Sequence, residues 1–331
     1  MRKIRVAEIG TSEFSHGNQI WQSINKQSEL FEVVGFALPE GEREKYPEQM
    51  EAFEGYKELS IEDILSDGSI DAVFVETEEK YLTKYGRAVV EAGKHLHMEK
   101  PGGQELSEFE AMLGTAKEKN LVFHTGYMYR YNPAVKRLLS DIREGKLGEI
   151  ISVESEMSCY HGKKMRQWLS GYRGGMTFFL GCHLLDLTYS IMGMPNKIIP
   201  MNRASGLDGA SSLDQGLVLL DYDRGYSYLK TTAVHHGGPG RRYFNVIGTK
   251  GSAEIRPLEG YCTGSNLLYS ELTYRFPEHG WAGVGETFRT EPFDRYDEMT
   301  ASFAAYVRGE RENPYTYERE LELYKLIMRS I

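Results

Sequence analysis

Short apolar runs alternate with longer stretches of helical spacing from residue 4 to about residue 125. Residues 4–9, 31–38, 71–77, 95–99 and 121–125 read as strands. Helices are expected between them, most clearly over 81–92, closed by Gly93, and over 106–119, where Ser107 and Glu110 have capping-box spacing. Strand, helix, strand repeated at this interval predicts βαβ units and a parallel sheet. After Gly126 the pattern changes. Residues 132–144 form a helix begun by Pro133 and ended by Gly145, and 178–192 form an apolar helix. Residues 149–157, 214–221, 226–234 and 243–247 form β-rich runs. Asp223-Arg224-Gly225 and the stretch 248–251, which leads into a strand over 252–255, are hairpin signals. A mostly antiparallel sheet with helices on one face follows. The pattern is weak over 260–292, and helices over 294–307 and 317–331 close the chain. The topology changes near residues 121–126, with no low-complexity linker and no internal repeat.

At 331 residues the chain exceeds the size at which a single core stops growing, so two domains are expected. A net charge of −9 without any Lys/Arg-rich block argues against a nucleic-acid partner and favours small polar substrates or other proteins. No stretch is long and apolar enough to span a bilayer, and the start runs directly into a strand pattern; a cytoplasmic location is expected. Cys159, Cys182 and Cys262 are odd in number and lack paired spacing, which suits buried thiols in a reducing compartment better than a disulfide frame or a zinc site. The adjacent pair His235-His236 points to opposite faces of a strand, so no metal site is expected there.

Candidate chemistry collects at the carboxyl ends of the first-half strands, where open α/β sheets hold their ligands. Residues 92–103 compress a helix end, a strand and a Glu99-Lys100-Pro101 tip, placing a lysine at a strand end. Strand one runs into Gly10-Thr11-Ser12-Glu13-Phe14-Ser15, where a glycine-rich phosphate turn belongs. Only Gly10 has the expected spacing; Ser12 and Ser15 stand where G-x-G-x-x-G has its later glycines. After strand two the acidic residue that bonds an adenine ribose is replaced by Leu38. Glu40 or Glu42 is then a candidate for the ribose, and Arg43 for a 2′-phosphate. In 235–242, Arg241 or Arg242 is a candidate to meet a carboxylate or phosphate on a substrate or a neighbouring subunit; a tight turn with solvated arginines is the alternative.

These pieces occur together and in order. Ile9-Gly10-Thr11, the segment 71–77, Ala92-Gly93-Lys94-His95 through Glu99-Lys100-Pro101, the segment 126–133 and Gly181-Cys182-His183-Leu184-Leu185-Asp186 resemble the glucose-fructose oxidoreductase / inositol dehydrogenase / rhizopine catabolism (Gfo/Idh/MocA) family. The resemblance implies an α/β fold: an N-terminal Rossmann doubly wound parallel sheet over 1–123 and a C-terminal α+β domain with a large, mostly antiparallel open sheet over 124–331. It implies NAD(P)-linked chemistry on a sugar, cyclitol or related polyol, with NAD slightly favoured over NADP here, and a homodimer or homotetramer. Lys100 would stabilise the developing alkoxide and His183 would accept the hydroxyl proton. Gly10, Thr11, Ser12, Phe14, Leu38, Thr77, Glu99 and Lys100 fall at cofactor positions, and Tyr129 and Arg130 in the segment that passes the substrate crevice. Arg130 is equally a candidate for binding another part of the fold, and Asp186 is read as structural. The chain departs from the family four residues before His183, where the polyol enzymes carry Asp and this chain has Phe179. Either another group replaces the aspartate, with Tyr160, His161 and Arg166 as candidates, or the substrate is not a standard polyol. Two further readings stay open: a redox-neutral, NAD-assisted lyase or glycosidase, and a ligand-binding or regulatory protein.

Overall fold

The computed structural model describes residues 2–281 and 283–331. The chain forms two compact units: Met1–Tyr127 with Tyr296–Tyr324, and Met128–Arg295 with Lys325–Ile331.

In the first unit β1 (Ile4–Ile9), β2 (Phe31–Ala37), β3 (Ala72–Val75), β4 (His95–Met98) and β5 (Phe123–Thr125) form a parallel sheet in the order β2-β1-β3-β4-β5. The connections carry α1 (Gly17–Lys26), α2 (Glu42–Lys45), α3 (Ile61–Ser66), α4 (Leu82–Glu91) and α5 (Leu106–Glu118). β3 is buried along its whole length, as a strand covered on both faces must be. The strands stop short of the expected runs. Leu38, Glu76, Thr77 and Glu99 lie just past the strand ends and start the turns of the carboxyl edge. The Ser107–Glu110 capping box does not form, because α5 already starts at Leu106 and leaves Ser107 inside its first turn. A capping box is present instead at α3, between Ser60 and Asp63. Near the chain end, α9 (Asp297–Val307), and α10 (Tyr317–Arg329) as far as Tyr324, group with this unit. Phe303 of α9 packs on the sheet through Phe74, 5.3 Å between ring centroids, and His124, 5.4 Å.

The second unit holds α6 (Pro133–Arg143), β6 (Ile150–Glu156), α7 (Lys163–Leu169), α8 (Cys182–Met192), β7 (Lys197–Arg203), β8 (Gln215–Tyr222), β9 (Gly225–Thr232), β10 (Tyr243–Gly248) and β11 (Ser252–Ile255). A two-stranded piece, β12 (Gly260–Tyr261) and β13 (Leu268–Tyr269), precedes β14 (Glu271–Arg275) and β15 (Glu286–Arg289). Eight strands make one sheet, β15-β14-β11-β10-β6-β9-β8-β7, antiparallel at every pairing except β6 with β9. Residues 178–192 are not one regular helix. A π-helical turn over Thr177–Gly181 precedes α8, a widening that recurs near functional sites.

Asn132 caps α6: its side-chain oxygen accepts the Ala134 N–H at 2.9 Å, and its amide donates to the Leu258 carbonyl and to Ser270 Oγ. Asn132→Ala removes a helix cap and a bridge to the β-rich segment. The expected cost is about 1–2 kcal/mol of stability, read from the urea midpoint at constant m-value.

Candidate functional site

Within the first unit the carboxyl ends of β1, β3 and β4 lie side by side at one edge of the sheet. Gly10 has φ +90°, and a Cβ added there would lie 2.5 Å from Thr77 Cβ, so only glycine fits between these two strand ends. Side chains of the chain itself hold the N–H groups that follow. Glu42 Oε2 accepts from Thr11 at 3.1 Å, Ser15 Oγ from Ser12 at 3.0 Å, and Ser12 Oγ from Phe14 at 3.1 Å and Ser15 at 3.0 Å. The serines standing in place of glycines thus cap the turn internally. The His16 N–H and ring Nδ1 both reach Glu99 Oε2, at 3.1 and 2.8 Å. The other oxygen of Glu99 accepts the Lys100 N–H at 2.9 Å and lies 3.7 Å from Lys100 Nζ. One carboxylate therefore ties the start of α1 to the lysine at the end of β4. Lys100 is buried, and the Lys100–Pro101 peptide is cis.

Of the residues considered for the ribose, Glu42 reaches the turn. Its other oxygen accepts from the Thr77 hydroxyl, and burial pushes its pKa up to about 8. Glu40 is turned to Lys84 and Tyr85, Arg43 is paired with Glu58, and Leu38 offers only a hydrocarbon face. Sequence reasoning missed His16, Glu79 and a line of buried polar groups. Glu79 is buried and its pKa is raised to about 8 by that burial, with the Lys100 charge opposing. On one face of the sheet His97 Nδ1 lies 2.7 Å from His124 Nδ1, and His97 Nε2 lies 3.3 Å from Glu76.

Within the second unit His183 opens α8, buried, with its ring 5.0 Å from that of Tyr129. Tyr129 donates to Glu259 Oε2 at 2.8 Å; burial together with this carboxylate keeps the phenol protonated. Arg295 grips the same carboxylate with two bonds, at 2.7 and 2.9 Å, and Arg242 Nη1 lies 3.6 Å from it. Arg130 Nε and Nη2 hold Asp186 at 3.0 and 2.8 Å, with both groups buried. Arg166 is likewise committed, to Asp208 and to the His161 carbonyl. Tyr160 stacks on His236 at 3.8 Å between centroids. His161 Nε2 lies 3.0 Å from Cys159 Sγ, and its pKa is pushed down to about 4 by burial and by Arg242 and Arg166. Phe179 packs with Cys159, Leu169, Met176 and Ala233 in a hydrocarbon cluster. Among the described residues no group of His, Cys, Asp and Glu is placed to hold a metal ion, and no helix is long and apolar enough to cross a membrane.

Comparison with known proteins covers both units. A family model described as an oxidoreductase family with an NAD-binding Rossmann fold matches residues 4–127, and its partner, a C-terminal alpha/beta domain, matches 140–319. The chain is 28% identical to scyllo-inositol 2-dehydrogenase (NADP(+)) IolW of Bacillus subtilis over 180 residues, 54% of this chain and 48% of that one. It is 24% identical to D-xylose 1-dehydrogenase (NADP(+)) 2 of Haloferax volcanii, over 80% of this chain and 79% of that one. It is 27% identical to 1,5-anhydro-D-fructose reductase of Ensifer adhaerens, over 80% and 77%. Among solved structures, the 3-ketoreductase KijD10 of Actinomadura kijaniata, in complex with NADP and TDP-benzene, superposes with a TM-score of 0.79. That match has 17% identity and covers 98% of this chain and 96% of that one, a likeness of fold.

Proposed function

The chain belongs to the Gfo/Idh/MocA oxidoreductase family, and from that premise we propose that it oxidises a hydroxyl of a sugar, cyclitol or related polyol, or reduces the matching ketone, with a nicotinamide dinucleotide. The observation that carries this reading is the lysine at the end of β4. An ammonium buried beside Glu99, whose other oxygen holds the start of α1, is fixed against the carboxyl edge of the sheet. A bound nicotinamide would supply the hydride acceptor or donor. The turn fits such a group: Gly10 permits close backbone approach, and the Ser12 and Ser15 hydroxyls can exchange their internal bonds for a phosphate oxygen. Thr11, Ser12, Phe14, Thr77 and Glu99 would hold it.

Lys100 stabilises the negative charge that develops on the reacting oxygen, and burial strengthens that interaction because little water screens it. His183 takes the hydroxyl proton, with Tyr129 packed edge-on against its ring. Glu42 favours NAD: an acid on the Thr11 amide can accept from a ribose 2′-hydroxyl, and once ionised it repels a 2′-phosphate.

Fluorescence titration with NADH and NADPH tests the reading directly. NADH is expected to bind more tightly, and the gap should widen as pH rises through about 8, where Glu42 ionises. Glu42→Gln should remove the widening. Binding of neither dinucleotide would refute the oxidoreductase reading. A gap that ignores pH would refute only the role of Glu42.

A further inference from the structure

One face of the eight-stranded sheet carries a basic cleft over β7, β8 and β9. Side chains alternate between the two faces of a strand, and the registers Arg203↔Gln215↔Thr232 and Met201↔Leu217↔Lys230 put these residues on the same face. The positions between them face the other way. A Cβ on Gly216 would collide with Thr177 Oγ1, and a Cβ on Gly181 would lie 3.3 Å from Thr231 Cγ2, so that second face is covered by the π-helical turn that leads into α8 and His183. The sheet itself therefore stands between the cleft and His183. The cleft has a volume of about 730 Å³, room for a small ligand, and His235 and Arg241 from the connection between β9 and β10 line it as well.

Arg203, Lys230 and Arg241 all line this cleft, and none of its lining residues is acidic. In a chain of net charge −9, three fixed cations on one cavity reverse the local sign. The carboxylate that Lys230 approaches, Glu156, is buried and shared. It lies 3.7 Å from Lys230 Nζ and 3.5 Å from His235 Nδ1, and it accepts from Ser158 Oγ at 2.9 Å. Neither arginine has an ion pair among the described residues. Arg241 makes no side-chain hydrogen bond there, and Arg203 uses one donor, Nη1 to the Asn202 carbonyl at 3.0 Å. Both arginines are exposed and Lys230 is half-exposed, so a ligand can reach all three. Of the two arginines singled out in 235–242, Arg242 is held at Glu259, and Arg241 is the one that lines the cleft.

A phosphate ester matches this arrangement better than a carboxylate does. It carries nearly two charges at neutral pH and three terminal oxygens, enough for a forked guanidinium and a further cation at once. Gln215, Met201 and Leu217 supply an amide and a hydrocarbon wall for the organic part. We propose that this cleft binds a small phosphorylated molecule through Arg203, Lys230 and Arg241, on the face of the sheet opposite His183. The proposal goes beyond the oxidoreductase reading and stands without it.

Calorimetric titration of the full chain in 0.15 M NaCl, where long-range attraction is screened, compares inorganic pyrophosphate with D-gluconate, which has a single charge. Pyrophosphate should bind saturably and about tenfold or more tightly than gluconate. The double variant Arg203→Gln, Arg241→Gln should lose at least about tenfold in pyrophosphate affinity, the worth of a charge-assisted hydrogen bond. Both side chains are exposed, so an unchanged urea midpoint is expected and shows that the variant is folded. Saturating NADH should leave pyrophosphate binding as it is. Displacement by NADH would put the anion at the Gly10 turn and overturn the proposal, as would equal binding of the two probes or a variant that binds pyrophosphate like the parent. If a second copy of the chain fills the cleft instead, pyrophosphate will not bind and the double variant will change the sedimentation coefficient, which also overturns it.

Discussion

Replacing Lys100 with methionine should lower kcat by about 10²- to 10³-fold while NADH or NADPH still binds; this is the range measured when one preorganised donor to a developing oxyanion is removed. The physical basis is location. The ammonium is 1% exposed, so its field is little screened, and it is held beside Glu99 at the strand edge. Methionine keeps most of the volume and removes the charge, which limits the packing loss. The electrostatics of the neighbours shift in a known sense. Glu99 keeps a low pKa despite the burial that raises it, because the His16 and Lys100 charges lower it; without Lys100 its carboxyl moves up. Glu79 moves up as well, since the Lys100 charge is what opposes its burial. Lys100→Arg separates charge from position: a planar guanidinium restores the positive charge in a different shape, and only a small part of kcat should return. Single-turnover kinetics at saturating dinucleotide make the measurement. A variant that turns over at the rate of the parent would remove Lys100 from the chemistry.

The sequence made the first unit legible because its strands are buried and short and its helices amphipathic, so the apolar pattern carries most of the structural information there. β7 and β15 escaped for the opposite reason. β15 buries none of its four residues fully, and β7 alternates poorly, so neither shows period 2. The Ser107–Glu110 spacing misled because a capping box needs its serine outside the helix, and Leu106 had already begun it. Motif spacing picked out Gly10, Glu99, Lys100 and His183, each near a strand or helix end. Glu259 and Arg295 left no signal. Glu259 meets Tyr129 from 130 positions along the chain and Arg295 meets Glu259 from 36, and nothing periodic encodes contacts at those separations. Arg130 and Arg166 show the converse limit. Residue type and position nominated them, and only the coordinates show that Arg130 pairs with Asp186 and Arg166 with Asp208.

The second large effect is a loss of stability as the solution becomes alkaline, and its sign follows from the acids of the first unit. Glu42 and Glu79 have pKa values raised by burial to about 8, and Glu8 and Glu76 are raised well above the ordinary carboxylate range, also by burial first. In the unfolded chain the same groups ionise at about 4.5, so above that value the folded state binds more protons. The stability they contribute is therefore present in full below about 4.5 and declines as pH climbs through the folded values. Groups shifted the other way act on the acid side. His97, pushed down to about 3 by burial, costs stability as pH falls below the ordinary imidazole value, and Glu99 does so in the carboxylate range. Between about pH 7 and pH 9 the raised acids therefore dominate. A proton retained only in the folded state costs about 1.4 kcal/mol per pH unit. Glu42 and Glu79, titrating midway through that window, together give a fall on the order of 2–3 kcal/mol. The corresponding drop in Tm is roughly 5–10 °C for a unit of this size. Trp21, buried in α1, reports on this unit once Trp168 and Trp281 are changed to phenylalanine. The double variant Glu42→Gln, Glu79→Gln should flatten the profile, because glutamine keeps the shape and cannot release a proton. A Trp21 melting temperature that holds constant or rises from pH 7 to pH 9 would mean that these carboxyls are ionised in the folded protein and that the first unit balances their charge.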